Sequence, residues 1–192
     1  MRVEVTTPPA EEPISLTEAK LHLKVELEED DDLITTLIVA ARGKAESLTR
    51  RSLVTQTRKL YLDAWPSKGT IKIPWPPLQS ISSVSYYASS GSLTTLASSS
   101  YHTSVGDGGR VVLADGQAWP DLQVARPDAV IVEYVAGYGD ADDIPAAIKA
   151  GMKLLIGHWY KQREDAISGT IINTIPSGAK SLFDTVLWGH CS

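Results

Sequence analysis

The chain has 192 residues, of which 43% are hydrophobic and 21% are charged, and its formal net charge is −5. These values are typical of a globular domain with a real core and exclude global disorder. The acidic balance argues against a protein whose main task is to bind nucleic acid, because phosphate recognition needs concentrated Lys and Arg.

The first thirteen residues, MRVEVTTPPAEEP, predict an extended N-terminal arm, since Pro8, Pro9 and Pro13 favour extended backbone. The segment lacks the apolar run of a signal peptide. No apolar stretch approaches the roughly 20 residues that span a bilayer. We therefore expect no membrane contact, and a protein kept in a cytoplasm or packaged into a particle assembled there.

Two helices are predicted over residues 15–50. Ser15 followed by Glu18 fits a capping box, which predicts a short helix to about Val25. Acidic residues 28–32 then fit the N-terminus of a second helix, where the macrodipole favours negative charge. A metal site here is the less favoured alternative, because calcium loops interleave acids with other ligands. The apolar face of this helix, to about Thr49, comprises Ile34, Leu37, Ile38, Ala41, Ala45 and Leu48.

From residue 53 to about residue 136 the periodicity changes to two, which predicts strands. Pro- and Gly-containing turns separate the candidates, so an antiparallel sheet or small barrel is expected as a β-rich insertion at 53–136. The candidate strands are 54–63, Thr70–Ile73, Ser80–Tyr87, Ser92–Leu96, Tyr101–Thr103, Arg110–Leu113 and Ala129–Ala136.

Pro145 predicts the start of a helix that continues to about Glu164, because proline is tolerated in the first helical turn. Residues 165–192 are expected to form a C-terminal docking arm with a short helix near residues 181–188. Its apolar residues Ile171, Ile172 and Ile175 lack a periodic partner, and such exposed apolar positions mark a surface that a partner buries. The competing interpretation is that Leu182, Phe183 and Leu187 complete the core of the chain's own domain.

Residues that could carry catalysis are scattered. The four histidines and single cysteine form no zinc-type spacing. The SxxK sequence Ser177–Lys180 has no accompanying SDN or KTG motif, and no nucleophile elbow occurs. We expect no enzyme activity, no cofactor and no metal.

Five tryptophans and seven tyrosines accompany a single phenylalanine. Amphipathic aromatic side chains suit subunit interfaces as well as cores. For Trp75 and Trp188, the sequence favours neither a packing role nor an interface role over the other. A further alternative is a small hydrolase or carbohydrate-binding domain that uses Trp75 and Trp119 as stacking platforms, although no paired-carboxylate site accompanies them.

An ordered set of short motifs resembles a known family. The motifs are Pro13–Lys20 with Leu23, Leu33-Ile34, Ala41, Glu46, Arg51, Thr55–Thr57, Leu62–Pro66, Ile73–Leu78, Ser83–Tyr86, Val132–Tyr138, Ile144–Lys149 and His158–Glu164. Together they resemble the phage head–tail connector (adaptor) proteins related to the connector of phage HK97, in the branch named after a gene product of phage phiE125. The end of the chain, Leu187–Ser192, departs from the family pattern.

The resemblance implies an α+β fold: a mainly helical connector domain at 14–164, with helices 15–50 and 145–164, the β insertion, and arms at 1–13 and 165–192. It implies a structural protein in the neck of a virion, which assembles in the host bacterial cytoplasm. The partners implied are copies of itself in a ring of roughly twelve subunits, the portal protein, and a tail-side neck or tail-completion protein. DNA would pass through the channel without specific binding. The alternative within this class is another neck or tail-completion protein of the virion.

Candidate interface residues follow from charge and apolarity. A ring needs two different complementary faces on each subunit, and acids early in the second helix with bases further along could supply them. The candidates are Asp30, Asp31, Asp32, Arg42, Arg50, Arg51, Trp75, Ile171, Ile172, Ile175 and Trp188.

A metal-free protein should be indifferent to chelation. We expect the melting temperature to be unchanged by EDTA, because no ligand constellation occurs in the sequence. Differential scanning calorimetry with and without EDTA checks this, with elemental analysis of the protein as the control. Near-stoichiometric metal together with metal-dependent melting would contradict it.

Overall fold

The computed structural model describes residues 1–162 and 175–188. The chain forms two compact units. The sheet unit comprises Met1–Ala10 and Thr55–Tyr138, and the helical unit comprises Glu11–Val54 and the described part of Gly139–Ser192.

Strands in the described part of the sheet unit form two antiparallel sheets. A five-stranded sheet has the order β1-β2-β8-β4-β5, and a three-stranded sheet has the order β3-β7-β6. The strands are β1 (Arg2–Thr7), β2 (Gln56–Leu62), β3 (Thr70–Lys72), β4 (Leu78–Tyr87), β5 (Leu93–Thr95), β6 (Tyr101–Ser104), β7 (Arg110–Leu113) and β8 (Val130–Ala136). The seven strands predicted from residue 53 onward are thereby confirmed, each to within a few residues at its ends.

The alternation of β2 and β8 places one face of the large sheet in the core. Leu60 lies opposite Val132, and both are fully buried. Tyr134 is buried beside them, and its hydroxyl donates to the Pro74 carbonyl at 2.9 Å. Burial raises the pKa of this hydroxyl, while the charge of Arg58 opposes the rise. The core comprises Leu60, Ile71, Ile73, Leu78, Val84, Leu96, Val111, Val130, Val132, Tyr134 and Ala136.

Gly109 allows the turn between β6 and β7 to lie against β4. Leu78 and Gly106 exchange two backbone hydrogen bonds, at 3.0 and 2.8 Å. A Cβ atom at residue 109 would lie 2.5 Å from Leu78 Cβ, so a side chain does not fit there. The close approach therefore joins the small sheet to the large one.

The helical unit contains four α-helices within the described residues. They are α1 (Leu16–Leu23), α2 (Asp31–Thr49), α3 (Ala146–Lys161) and α4 (Ser177–Asp184). The predicted N-cap is confirmed, because Ser15 Oγ accepts the Glu18 N–H at 3.1 Å. The predicted start at Pro145 is also confirmed, since α3 begins with the next residue. None of the helices in residues 1–162 and 175–188 is long and apolar enough to cross a membrane.

The apolar faces of α2 and α3 make the core of the helical unit, and α4 closes it. Phe183 of α4 is 1% exposed. Its ring lies against Gly151, where an added Cβ would be 2.7 Å from Phe183 Cε1. The absence of a side chain at residue 151 therefore makes room for the aromatic ring. The buried apolar side chains are Ile14, Ala19, Ile34, Ile38, Ala41, Ala45, Leu53, Val54, Ile144, Ile148, Met152, Leu155, Ile156, Ala179 and Phe183.

The predicted fold class was wrong in three respects. The domain is not mainly helical: helix and strand take similar shares, 32% and 28%. The longest described helix is the 19-residue α2, not a C-terminal one. The extended arms were also wrong for the described residues, because residues 2–7 pair with β2 and α4 buries Ala179 and Phe183. The domain bounds drawn from the sequence stay a prediction.

Removing the Phe183 ring should destabilise the helical unit. Phe183→Ala leaves a cavity over Gly151, and we expect a loss of about 3 kcal/mol in the free energy of unfolding. Chemical denaturation measures it. Lys180→Ala on the same helix is the matched control, because the exposed Lys180 side chain forms a surface pair with Asp184. The cost of this substitution should stay below about 0.5 kcal/mol. Equal stability of the two variants would restore the docking-arm interpretation of this segment.

Candidate assembly surfaces

Two of the three aspartates predicted for an interface are used within the helical unit. Asp30 is the N-cap residue of α2, and its carboxylate accepts a hydrogen bond from the Tyr160 hydroxyl. Asp31 pairs with Lys20 at 2.5 Å. Asp32 is exposed in the first turn of α2, where the macrodipole stabilises its charge.

The turn between α1 and α2 presents a group of exposed carboxylates, here called the acidic turn: Glu26, Glu28, Glu29 and Asp32. None of these four carboxylates pairs with a cation in the part of the chain that the structure describes. Leu27 lies among them and is 68% exposed. Lys24, just before them, adds one positive charge at the margin. The turn therefore combines unneutralised negative charge with one apolar side chain.

The predicted basic candidates of α2 have different surroundings. Arg42 Nε donates to Glu12 at 2.8 Å, and Arg42 Nη1 lies 3.9 Å from Glu46. Arg51 is 8% exposed, and its Nε donates to the Val186 carbonyl at 2.6 Å. Arg50 is exposed at the left-handed C-cap of α2. Of the three guanidinium groups, only that of Arg50 lies open to solvent.

The C-terminal candidates lie partly within the described residues. Ile171 and Ile172 lie outside them. Ile175 is half-buried. Trp188 is also half-buried, and its backbone N–H donates to the Thr49 carbonyl at 3.0 Å. The described end of the chain is therefore tied to the end of α2 by two contacts, from Arg51 and from Trp188.

The two tryptophans considered as stacking platforms already have ring partners in the sheet unit. The Arg58 guanidinium lies 4.5 Å from the centre of the Trp75 ring. Trp119 stacks on Trp65 at 4.4 Å with 4° between the rings. One face of each ring is thus covered by the chain itself, which weakens the carbohydrate-binding alternative.

The small sheet carries a cationic surface that the sequence prediction missed. Lys72 lies directly opposite Arg110, and Arg110 lies opposite Ser104. Alternation along the strands puts His102 on the same face, and the opposite face buries Ile71 and Val111. Lys72, Arg110 and His102 are exposed and are here called the basic sheet face. Period-two patterns mark the strands, but the cross-strand register that unites these residues has no local signal.

Glu18 forms ion pairs that the sequence did not predict. Its carboxylate lies 2.6 Å from Lys153 and 3.8 Å from Lys149, which joins α1 to α3. Burial works against ionisation of Glu18, but the hydrogen bond from Lys153 and the charges of both lysines outweigh it and hold its pKa below the usual value.

The described residues contain no group of three or more His, Cys, Asp or Glu side chains placed to hold a metal ion. The acidic turn and the basic sheet face carry charges of opposite sign. Such surfaces suit association between proteins.

A comparison with known protein families matches residues 13–104 to the phage gp6-like head–tail connector protein family. The family resemblance drawn from the sequence is thereby confirmed. A comparison with curated proteins finds no match.

Solved structures share the fold over almost the whole chain. A chain from the neck of an empty gene transfer agent (GTA) particle, computed with C6 symmetry, has a TM-score of 0.79 at 18% identity and covers 97% of this chain and 95% of its own. A chain from the native GTA virion has a TM-score of 0.78 at 19% identity, covering 98% and 95%. A chain from the native GTA neck, computed with C12 symmetry, has a TM-score of 0.76 at 19% identity, covering 97% and 94%.

The link from Glu18 to α3 should make stability depend on pH. Because the folded-state pKa of Glu18 is lowered, its contribution is present above the unfolded-state pKa and is lost as the pH falls through the folded-state value. We expect Glu18→Gln to cost about 0.5–1 kcal/mol at pH 7 and progressively less in acid. Denaturation at a series of pH values measures this. Glu26→Gln, which removes an exposed carboxylate without a cation partner, is the control. A cost that stays constant down to low pH would contradict the assignment.

Proposed function

We propose that this chain, which matches the phage gp6-like head–tail connector family over residues 13–104, is a structural head–tail connector of a tailed bacteriophage or phage-like particle. The observation that carries the proposal is the family match. The shared fold with chains of the GTA neck and virion supports it, because the similarity extends over at least 97% of this chain in each comparison.

The subunit works by geometry and not by chemical reaction. Copies of the chain form a ring in the neck of the virion, between a portal protein and a tail-side neck protein. Head-to-tail contacts close a ring only if each subunit presents two different complementary faces. The acidic turn and the basic sheet face are two unlike surfaces of this kind. Roughly twelve subunits would match a portal of the same symmetry.

The ring leaves a channel through which DNA passes. A net charge of −5 on each subunit suits a conduit that does not retain its cargo. Each phosphate neutralised by a cation adds affinity and would slow the passage. The chain therefore needs no specific recognition of nucleic acid.

Electron microscopy of the purified chain tests the proposal. We expect a monomer or weak associate in dilute solution, and a closed ring with a central channel when the portal is added or the concentration is raised. The reason is that individually weak contacts become sufficient when a template holds the subunits together. A stable dimer indifferent to portal would overturn the ring, since a two-fold contact closes on itself. Rings that attach to tail components and not to portal would favour another neck or tail-completion protein.

A further inference from the structure

We infer that the basic sheet face of one copy docks on the acidic turn of the neighbouring copy in the ring. This inference rests on the proposed connector function and names the contact that builds the ring. The occupant of the basic sheet face is thus a second copy of this chain, bound through Glu26, Glu28, Glu29 and Asp32.

The basic sheet face holds two like charges at a position where they are unfavourable. Lys72 and Arg110 are direct cross-strand neighbours, so their Cβ atoms lie roughly 5 Å apart. Like charges in that relation destabilise a sheet. Within the described residues no carboxylate pairs with either side chain. A negative surface that covers Lys72 and Arg110 would therefore relieve their repulsion and stabilise the sheet.

The acidic turn likewise carries charges that have no partner of opposite sign among the described residues. Its four carboxylates are exposed, while the neighbouring Asp30 and Asp31 are already engaged with Tyr160 and Lys20. The helical unit therefore presents unpaired negative charge at the acidic turn, and the sheet unit presents unpaired positive charge at the basic sheet face. Complementary potentials of this kind steer two copies together and fix their orientation.

An exposed apolar side chain lies next to each surface in the sequence. Val105 follows Ser104, the cross-strand neighbour of Arg110, and is 59% exposed. Leu27 lies within the acidic turn and is 68% exposed. An apolar contact surrounded by charged side chains is the usual anatomy of a protein interface. We place Val105 and Leu27 at the centre of the contact.

Phosphates of the passing DNA are the other class of partner that a cationic face could bind. The observations favour a second copy. Lys72 and Arg110 supply only two fixed positive charges on a subunit of net charge −5, whereas DNA-binding proteins neutralise several phosphates.

Charge reversal on each side provides the test. Lys72→Glu with Arg110→Glu makes both surfaces acidic. Glu26→Lys, Glu28→Lys and Glu29→Lys together make both surfaces basic. Either variant alone should associate at least about tenfold more weakly than the original chain, as measured by sedimentation velocity at low salt. An equal mixture of the two variants should recover the association, because each contact then joins an acidic to a basic surface in an alternating ring. A contact within one chain would not be recovered by mixing.

Carbodiimide cross-linking identifies the residues and the copies involved. A mixture of ¹⁵N-labelled and unlabelled original chain should give cross-links from Lys72 to Glu28 or Glu29 that combine the two isotopes. Lys72→Arg with Arg110→Lys, and Glu28→Asp with Glu29→Asp, preserve charge and should associate as the original does. Circular dichroism melting of every variant shows that it is folded.

Three outcomes overturn the inference. They are undiminished association of both reversed variants, failure of their mixture to recover it, and absence of isotope-mixed cross-links. Weaker retention on immobilised duplex DNA by the Lys72→Glu and Arg110→Glu variant, with self-association unchanged, would instead assign the face to nucleic acid. If rings still form on portal while the cross-links are absent, this contact is wrong and the connector function stands. If the cross-links appear but no ring forms, the contact stands and the connector function fails.

Discussion

The pairing of β2 with β8 is the constraint on which the rest of the structure depends. It joins Gln56 to Ala136 and Leu62 to Val130, so it closes a loop of nearly seventy residues against the entropy of the free chain. The buried Leu60 and Val132 in the middle of the two strands supply the apolar burial that offsets this cost. Because β2 begins soon after α2 and β8 ends soon before α3, the same pairing returns the chain to the point where the helical unit resumes, and Val54 bridges Gly139 there.

The ionic side chains of the helical unit divide into two groups according to burial. Arg42, Arg51 and Glu18 are partly or largely removed from water and have partners within the unit. Leaving such groups unpaired would cost far more than an exposed pair contributes. The carboxylates of the acidic turn, by contrast, are exposed and well solvated by water. Charges of the first group hold the subunit together, whereas those of the second are available to a partner at little cost to the fold.

The sequence predicted most individual elements because their signals are local. Alternation identified β2 and β8, and Ser15 and Pro145 identified where helices begin. The predicted proportions of helix and strand were wrong because two features of the fold do not depend on local sequence. Residues 2–7 join the sheet only because β2 offers an edge to them, and α4 is part of the core only because Gly151, twenty-six residues before α4, leaves space for Phe183. The candidate site shows the same division. The acids of the α1–α2 turn lie close together in sequence, and Asp32 among them was a candidate, while Lys72 and Arg110 are united by register alone.

A contact made mostly of exposed charges has a consequence for when assembly happens. Single surface pairs contribute about 1 kcal/mol or less, so a few of them with one apolar contact hold two free copies only weakly. Closing a ring adds one contact without recruiting another subunit, and a template that binds several subunits raises their effective concentration steeply. Weak complementary faces therefore suppress assembly in dilute solution and permit it at a preformed ring. Stronger, more apolar faces would lose that control, because free subunits would polymerise before they reached the particle.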